Sequence, residues 1–191
     1  MTRIRTALAL AAALALAACY PPTTSHPVGT TAGLKSDPAL TGVWKGTDSD
    51  GKAHYVHFLH QGNGTITVLI VEVGPKAEDY VPVTATTARL GDNRLMNARL
   101  LPTADKPQDD IPGTVPVLYR FDGKGGLTLA LMDEHKVKAA VAAGRIQGTV
   151  EKGEMGDVMI TAGPRALDAF MARPDTAALF AAPVFTLHRV E

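Results

Sequence analysis

One cysteine, one tryptophan and five phenylalanines among 191 residues leave this chain few of the side chains from which sites are commonly built. Cys19 is the only thiol, so an intrachain disulfide, a thiolate metal centre or a redox pair has no second sulfur. Serine is nearly as scarce. Ser25, Ser36 and Ser49 are all there is, none lies in a Gly-x-Ser-x-Gly elbow, and a serine nucleophile has no evident centre. No Walker loop or Gly-x-Gly-x-x-Gly occurs, because Gly62-Asn63-Gly64 runs on into Thr65 and Ile66. Basic and acidic residues balance at 19 each, which gives no electrostatic footprint for nucleic acid or anionic headgroups. Beyond the first 18 residues there is no long apolar run to span a membrane.

What is present begins with Arg3 and Arg5, followed by an Ala/Leu run from Thr6 to Ala18 that ends in small side chains, the tripartite pattern of a secretory leader. As a helix this run is roughly 20 Å long at ~1.5 Å per residue, short of a ~30 Å hydrocarbon core. The final tetrad, Leu16-Ala17-Ala18-Cys19, resembles the lipobox of bacterial lipoproteins. That resemblance implies cleavage before Cys19, acylation of its thiol with palmitate-like chains, and residence at the membrane. With Tyr20 rather than Asp beside the modified residue it further implies the outer membrane, the domain facing the periplasm. An Ala15-Leu16-Ala17 cleavage rule would instead yield a soluble secreted protein. The expected organisation is a signal peptide over 1–18, a lipidated flexible tether over 19–36 rich in Pro, Thr, Ser and Gly, and one domain over 37–191.

The domain reads as mainly β with minor α. Gly42 to Thr47 and Ala53 to His60 flank Asp50-Gly51; Thr65 to Val73 follows; Tyr80 to Leu90 and Arg94 to Leu101 flank Gly91-Asp92-Asn93; Val115 to Phe121 and Leu127 to Met132 flank Asp122 to Gly126. Consecutive hairpins predict an antiparallel up-and-down meander that closes as a barrel or remains a curled sheet. In the last hairpin Val117, Tyr119 and Phe121 share one parity and Leu127, Leu129 and Leu131 another, so these six are expected inside. Two or three short helices interrupt the C-terminal half: Glu134 to Ala143 capped by Asp133 and stopped by Gly144, Pro164 to Ala172, and a turn through Phe180 capped by Asp175. Short strands over Ile146 to Glu151 and Val158 to Ala162 lie between them, and Pro183 to Val190 closes the domain. The Pro- and Asp-containing stretch from Pro102 to Pro116 is the longest irregular loop.

Gly42-Val43-Trp44 on the first strand, together with Arg189 on the last, resembles the lipocalins and their calycin relatives. There a basic residue of the final strand packs across the first-strand Trp and closes one end of the barrel. The resemblance covers only these two strands; the other lipocalin motifs and disulfides are absent. It implies a lipocalin-like barrel with Trp44 and Arg189 as its closure and a cavity walled by Trp44, Phe58, Tyr119, Phe121 and Leu129. Arg189 shares parity with Phe185 and Leu187 and is expected to point inward. A guanidinium over an indole is worth about 0.5–2 kcal/mol.

Other clusters read as scaffolding. His54, His57 and His60 would share a face only on a helix; on a strand His54 and His60 lie on one side, about 20 Å apart at ~3.3 Å per residue, too far to share an ion. Asp48-Ser49-Asp50-Gly51 is similar to the start of a calcium loop, lacks the later ligands, and fits a hairpin turn. No metal, cofactor or catalytic residue is assigned, and the chain is expected not to be an enzyme. The functional expectation is a non-catalytic, membrane-anchored envelope lipoprotein that binds a small apolar ligand. The alternatives are a scaffold for an envelope protein partner and, third, a carboxylate-based hydrolase.

Overall fold

Short β-branched and aromatic runs punctuated by glycine turns dictate strands, and the computed structural model, which describes residues 21–74, 80–101, 113–150 and 158–190, shows how they close. The leader, Cys19 and most of the 102–116 loop lie outside the described residues. A two-residue strand β1 (Thr23–Thr24) precedes β2 (Gly42–Asp48), β3 (Ala53–His60), β4 (Ile66–Glu72), β5 (Tyr80–Leu90), β6 (Asn93–Leu100), β7 (Val115–Phe121) and β8 (Gly126–Leu131). Helix α1 (Glu134–Ala142), strands β9 (Gly148–Val150) and β10 (Val158–Ile160), helix α2 (Pro164–Met171), a 3-10 turn over Pro174–Leu179 and β11 (Phe185–Arg189) complete the order.

Strands β2 to β8 form an antiparallel meander, and β11 closes it by pairing with β8 on one side and β2 on the other, giving an eight-stranded closed barrel. The curled-sheet alternative is thereby set aside. At the closing seam Gly46 lies opposite Leu187, and a Cβ there would sit 1.9 Å from the Thr186 carbonyl oxygen. Only glycine permits so tight an approach. The strands that were expected over Ile146 to Glu151 and Val158 to Ala162 do not join the barrel; β9 and β10 make a separate sheet with β1.

Two cores result. Inside the barrel, Leu40, Trp44, Val56, Phe58, Ile66, Val68, Met96, Val117, Tyr119, Leu127, Leu129 and Leu187 pack together. The six interior positions expected in the β7–β8 hairpin all belong to this cluster or pack against it. Outside, the outward faces of β6, β7 and β8 present Leu95, Leu118 and Ala130 to the insertion between β8 and β11, which contributes Val137, Ile160, Leu167, Phe170 and Met171. Each fully buried side chain of this size contributes roughly 1.5–3 kcal/mol. Asp133 caps α1 through the Lys136 amide, and Gly144, at φ +67°, follows it. Asp175 does not cap the last turn. It lies inside that turn and holds Arg173 and Arg145 by charge-assisted bonds of 3.0 and 2.6 Å.

Residues 21–36 are the main correction. Expected as a flexible tether, they are bound along the barrel wall instead. Thr23 and Thr24 pair with Met159 and Ile160, and Thr24 also bridges Thr114. Val28, fully buried, exchanges backbone bonds of 2.7 and 2.8 Å with the Asn97 side chain. The Asp168 carboxylate accepts from the amides of Gly29 and Thr31 and from the Thr31 hydroxyl. Lys35 then bridges Thr87. The polar residues that suggested a solvated linker are used to satisfy this strap against the wall.

Candidate functional site

The up-and-down order gives the barrel two unlike ends. Tight turns and the chain's entry at Thr41 crowd one; the long connections after β4, β6 and β8 leave from the other.

The first end is sealed. Asp37 caps a 3-10 turn over Pro38–Leu40 by accepting from the Ala39 amide, which lays fully buried Leu40 across the opening. The Trp44 indole N–H donates to the Leu40 carbonyl at 2.8 Å. Arg189 pairs with Trp44 in strand register and sets its guanidinium carbon 4.5 Å from the indole centroid. Its two Nη atoms donate to the Thr41 and Ala39 carbonyls at 2.6 Å each. The guanidinium is solvent-exposed at the barrel end rather than aimed into an apolar interior, because those carbonyls lie at the rim. Gly42 has φ +122°, and a Cβ there would come within 3.0 Å of Arg189 Nη1, which accounts for glycine at this position.

A second arginine acts similarly across the opening. Arg94 stacks 5.3 Å from the Phe121 centroid and pairs with Asp37 at 3.4 Å, while the Tyr119 hydroxyl donates to the same Asp37 oxygen at 2.8 Å. Burial, then the Asp37 carboxylate beside it, pushes the Tyr119 phenol well above its usual range, so it stays a neutral donor. Phe121 touches both Trp44 and Tyr119, with ring centroids 6.0 and 5.9 Å apart.

All five residues expected to wall a cavity, Trp44, Phe58, Tyr119, Phe121 and Leu129, therefore face inward and join one apolar cluster. Trp44 is 1% exposed and Phe58 0%, so neither borders a void that admits water. This half of the barrel is filled by its own side chains.

Toward the other end the inner face loosens. Ile70, Ala98, Val115, Leu131, Val184 and Phe185 are only partly buried where they pack on the same core. Beyond them Val81 and Leu100 continue the inward parity and are exposed, as are their neighbours Val73, Tyr80 and Leu101. Among the polar groups of this wall, Asp48 and His54 have side chains 8% and 7% exposed and joined at 2.9 Å through His54 Nε2, and Glu72 lies opposite His54 in register. The His54 ring meets the edge of Phe185 at 5.3 Å, and its Nδ1 is buried without a hydrogen-bond partner. Sequence parity puts His54 on the inner face, yet nothing local signals its pairing with Asp48 across the β2–β3 hairpin.

Asp48 also ends the strand: its Oδ1 accepts from the amides of Asp50 and Lys52, which is the hairpin turn the sequence suggests. Burial raises its pKa, but the bonds from His54, Lys52 and Asp50 outweigh that and hold the carboxyl below the ordinary 3.8. A depressed folded pKa adds stability that is present above the unfolded value and lost as pH falls through the folded one. Replacing Asp48 by Asn is thus expected to lower the urea midpoint at pH 7, and the gap from wild type should close below about pH 4. A gap independent of pH would remove the charge from this account.

A hollow of about 80 Å³ on the outer wall, beside Leu118, Ala130 and Phe180, is too small for an organic ligand. No family model, curated protein or solved structure matches the chain.

Proposed function

We propose that this chain is a non-catalytic lipoprotein of the bacterial outer membrane, anchored through acylated Cys19 with its domain on the periplasmic side, and that the open half of a calycin-like barrel takes a small apolar ligand. The observation that carries the ligand is the graded inner face. It is dry and filled around Trp44 and becomes partly exposed and still apolar through Ile70, Val115, Leu131 and Phe185 to Val81 and Leu100. Apolar lining with a few polar groups, here the buried Asp48–His54 pair and Glu72 opposite it in register, is the usual chemistry of such sites. The Trp44–Arg189 stack supports the calycin resemblance, and the lipobox tetrad supports the anchor.

Titration with a pyrene-labelled fatty acid tests the ligand. Saturable binding is expected, weakened at least tenfold in Leu131→Asp, since an unpaired carboxylate in an apolar wall costs more than the ~1.4 kcal/mol a factor of ten requires. Non-saturable uptake, or equal binding by the variant, overturns this site. Incorporation of labelled palmitate tests the anchor separately. A second reading, a scaffold for an envelope protein, is favoured by the self-filled Trp44 half; purification from solubilised membranes with a stoichiometric partner would support it.

A further inference from the structure

The strap that binds residues 21–36 to the wall also fixes where a lipid on Cys19 can be. Cys19 precedes Thr23 by four residues, which reach at most roughly 14 Å when fully extended. Thr24 in turn is hydrogen-bonded in both directions to Thr114, at 2.9 and 3.0 Å, and Thr114 is the residue before Val115 enters β7 at the end of the barrel from which the long connections leave. A flexible tether of this length would leave orientation free. A four-residue leash beside the open rim does not.

The same rim carries an exposed apolar patch on three adjacent strands. Val73 follows the last residue of β4, Tyr80 and Val81 begin β5, Leu100 ends β6 and Leu101 follows it. They are linked by register: Tyr80 lies opposite Val71, Leu100 opposite Val83, and the Leu101 amide donates to the Pro82 carbonyl. Tyr80 is 53% exposed and Val73 50%. Five of the eight large apolar residues most exposed among those described belong to this one rim. Such clustering marks an interaction surface rather than scattered surface apolarity.

The charge beside it selects the surface. The connecting sequences 75–79 and 102–112 hold Glu78, Asp79, Asp105, Asp109 and Asp110 against Lys76 and Lys106, so nothing there attracts anionic headgroups. Resting on the anchor reading above, we infer that the open end of the barrel docks on a zwitterionic lipid surface, with Val73, Tyr80, Val81, Leu100 and Leu101 entering the headgroup layer next to the acylated Cys19. The sealed Trp44 end then points away from the bilayer. An apolar ligand passes between membrane and barrel without crossing water.

The position of the single tryptophan makes this testable. The full-length acylated protein is reconstituted in phosphatidylcholine/phosphatidylethanolamine vesicles with or without brominated acyl chains, as wild type and as Tyr80→Trp, and intact mass reports the acyl chains. Brominated lipid is expected to quench the emission added by the Tyr80→Trp substitution at least twofold, to leave Trp44 emission unchanged, and to act equally at low and high salt. Quenching of Trp44 with the added emission spared means an inverted domain and overturns the docking. An added emission that is unquenched in acylated protein overturns it while leaving the anchor reading intact. If that emission shifts with protein concentration in the absence of vesicles, the rim meets a second copy and the docking is again overturned. A mass without acyl chains overturns both.

Discussion

Replacing Trp44 with Ala is expected to lower the unfolding free energy by about 3–5 kcal/mol, the range for truncating a fully buried large aromatic. Trp44 is among the largest fully buried side chains, and it joins three parts of the sealed end. Its N–H satisfies the buried Leu40 carbonyl, its face carries Arg189, and its ring packs tilted against Phe121. The Leu40 carbonyl left without a donor adds about 1–3 kcal/mol to the loss of apolar contact, although the two effects overlap. Trp44→Phe separates them, since it keeps a ring for Arg189 and gives up the donor; about a third to a half of the full effect is expected. Urea unfolding followed by far-ultraviolet circular dichroism is the measurement, because these variants remove the only indole. A loss below about 1 kcal/mol for Trp44→Ala would mean that the barrel closes independently of this stack.

The barrel was largely legible because its information is local. Alternation over Val117 to Phe121 and Leu127 to Leu131 sets the inner face, and Asp50-Gly51, Gly91 and the Asp122 to Gly126 turn set the hairpins; Asp122 accepts from the Lys124 and Gly126 amides at 2.7 Å, as a short acceptor in a turn should. Strands β3, β5 and β7 occupy the ranges that the pattern indicates. Closure was less legible, as it depends on β11 finding β2 across nearly the whole chain, and only Gly46 and the Trp44/Arg189 positions hint at it.

What the pattern could not carry is long-range polar pairing. Asn97 and Asp168 look like ordinary surface positions, one on the outward side of a strand and the other mid-helix, yet both are buried under the N-terminal strap. A segment with so few apolar residues reads as solvated because its backbone partners are side chains distant in sequence. The interior shows the same limit at the site. Parity identified which residues face inward, but the division into a filled half around Trp44 and a looser half beyond Val115 depends on how side-chain volumes meet, which no alternation encodes.

Asp168→Ala is expected to release that strap and to cost about 3–4 kcal/mol. The carboxylate, 4% exposed, accepts from the Gly29 amide at 2.6 Å, from the Thr31 amide at 2.8 Å and from the Thr31 hydroxyl. Hydrogen bonds to a charged acceptor contribute about 1.5–3 kcal/mol each, and their sum is cut because the freed strap regains water and conformational freedom. Gly29 cannot be replaced without strain: at φ +90° it lies against Ala88, where a Cβ would sit 2.0 Å from the Ala88 methyl. Local release predicts a readout distinct from global unfolding: proteolysis within residues 21–36 should accelerate at least tenfold under native conditions, while the barrel's circular dichroism is retained. Asn97→Ala, which removes both bonds to Val28, should do the same more weakly.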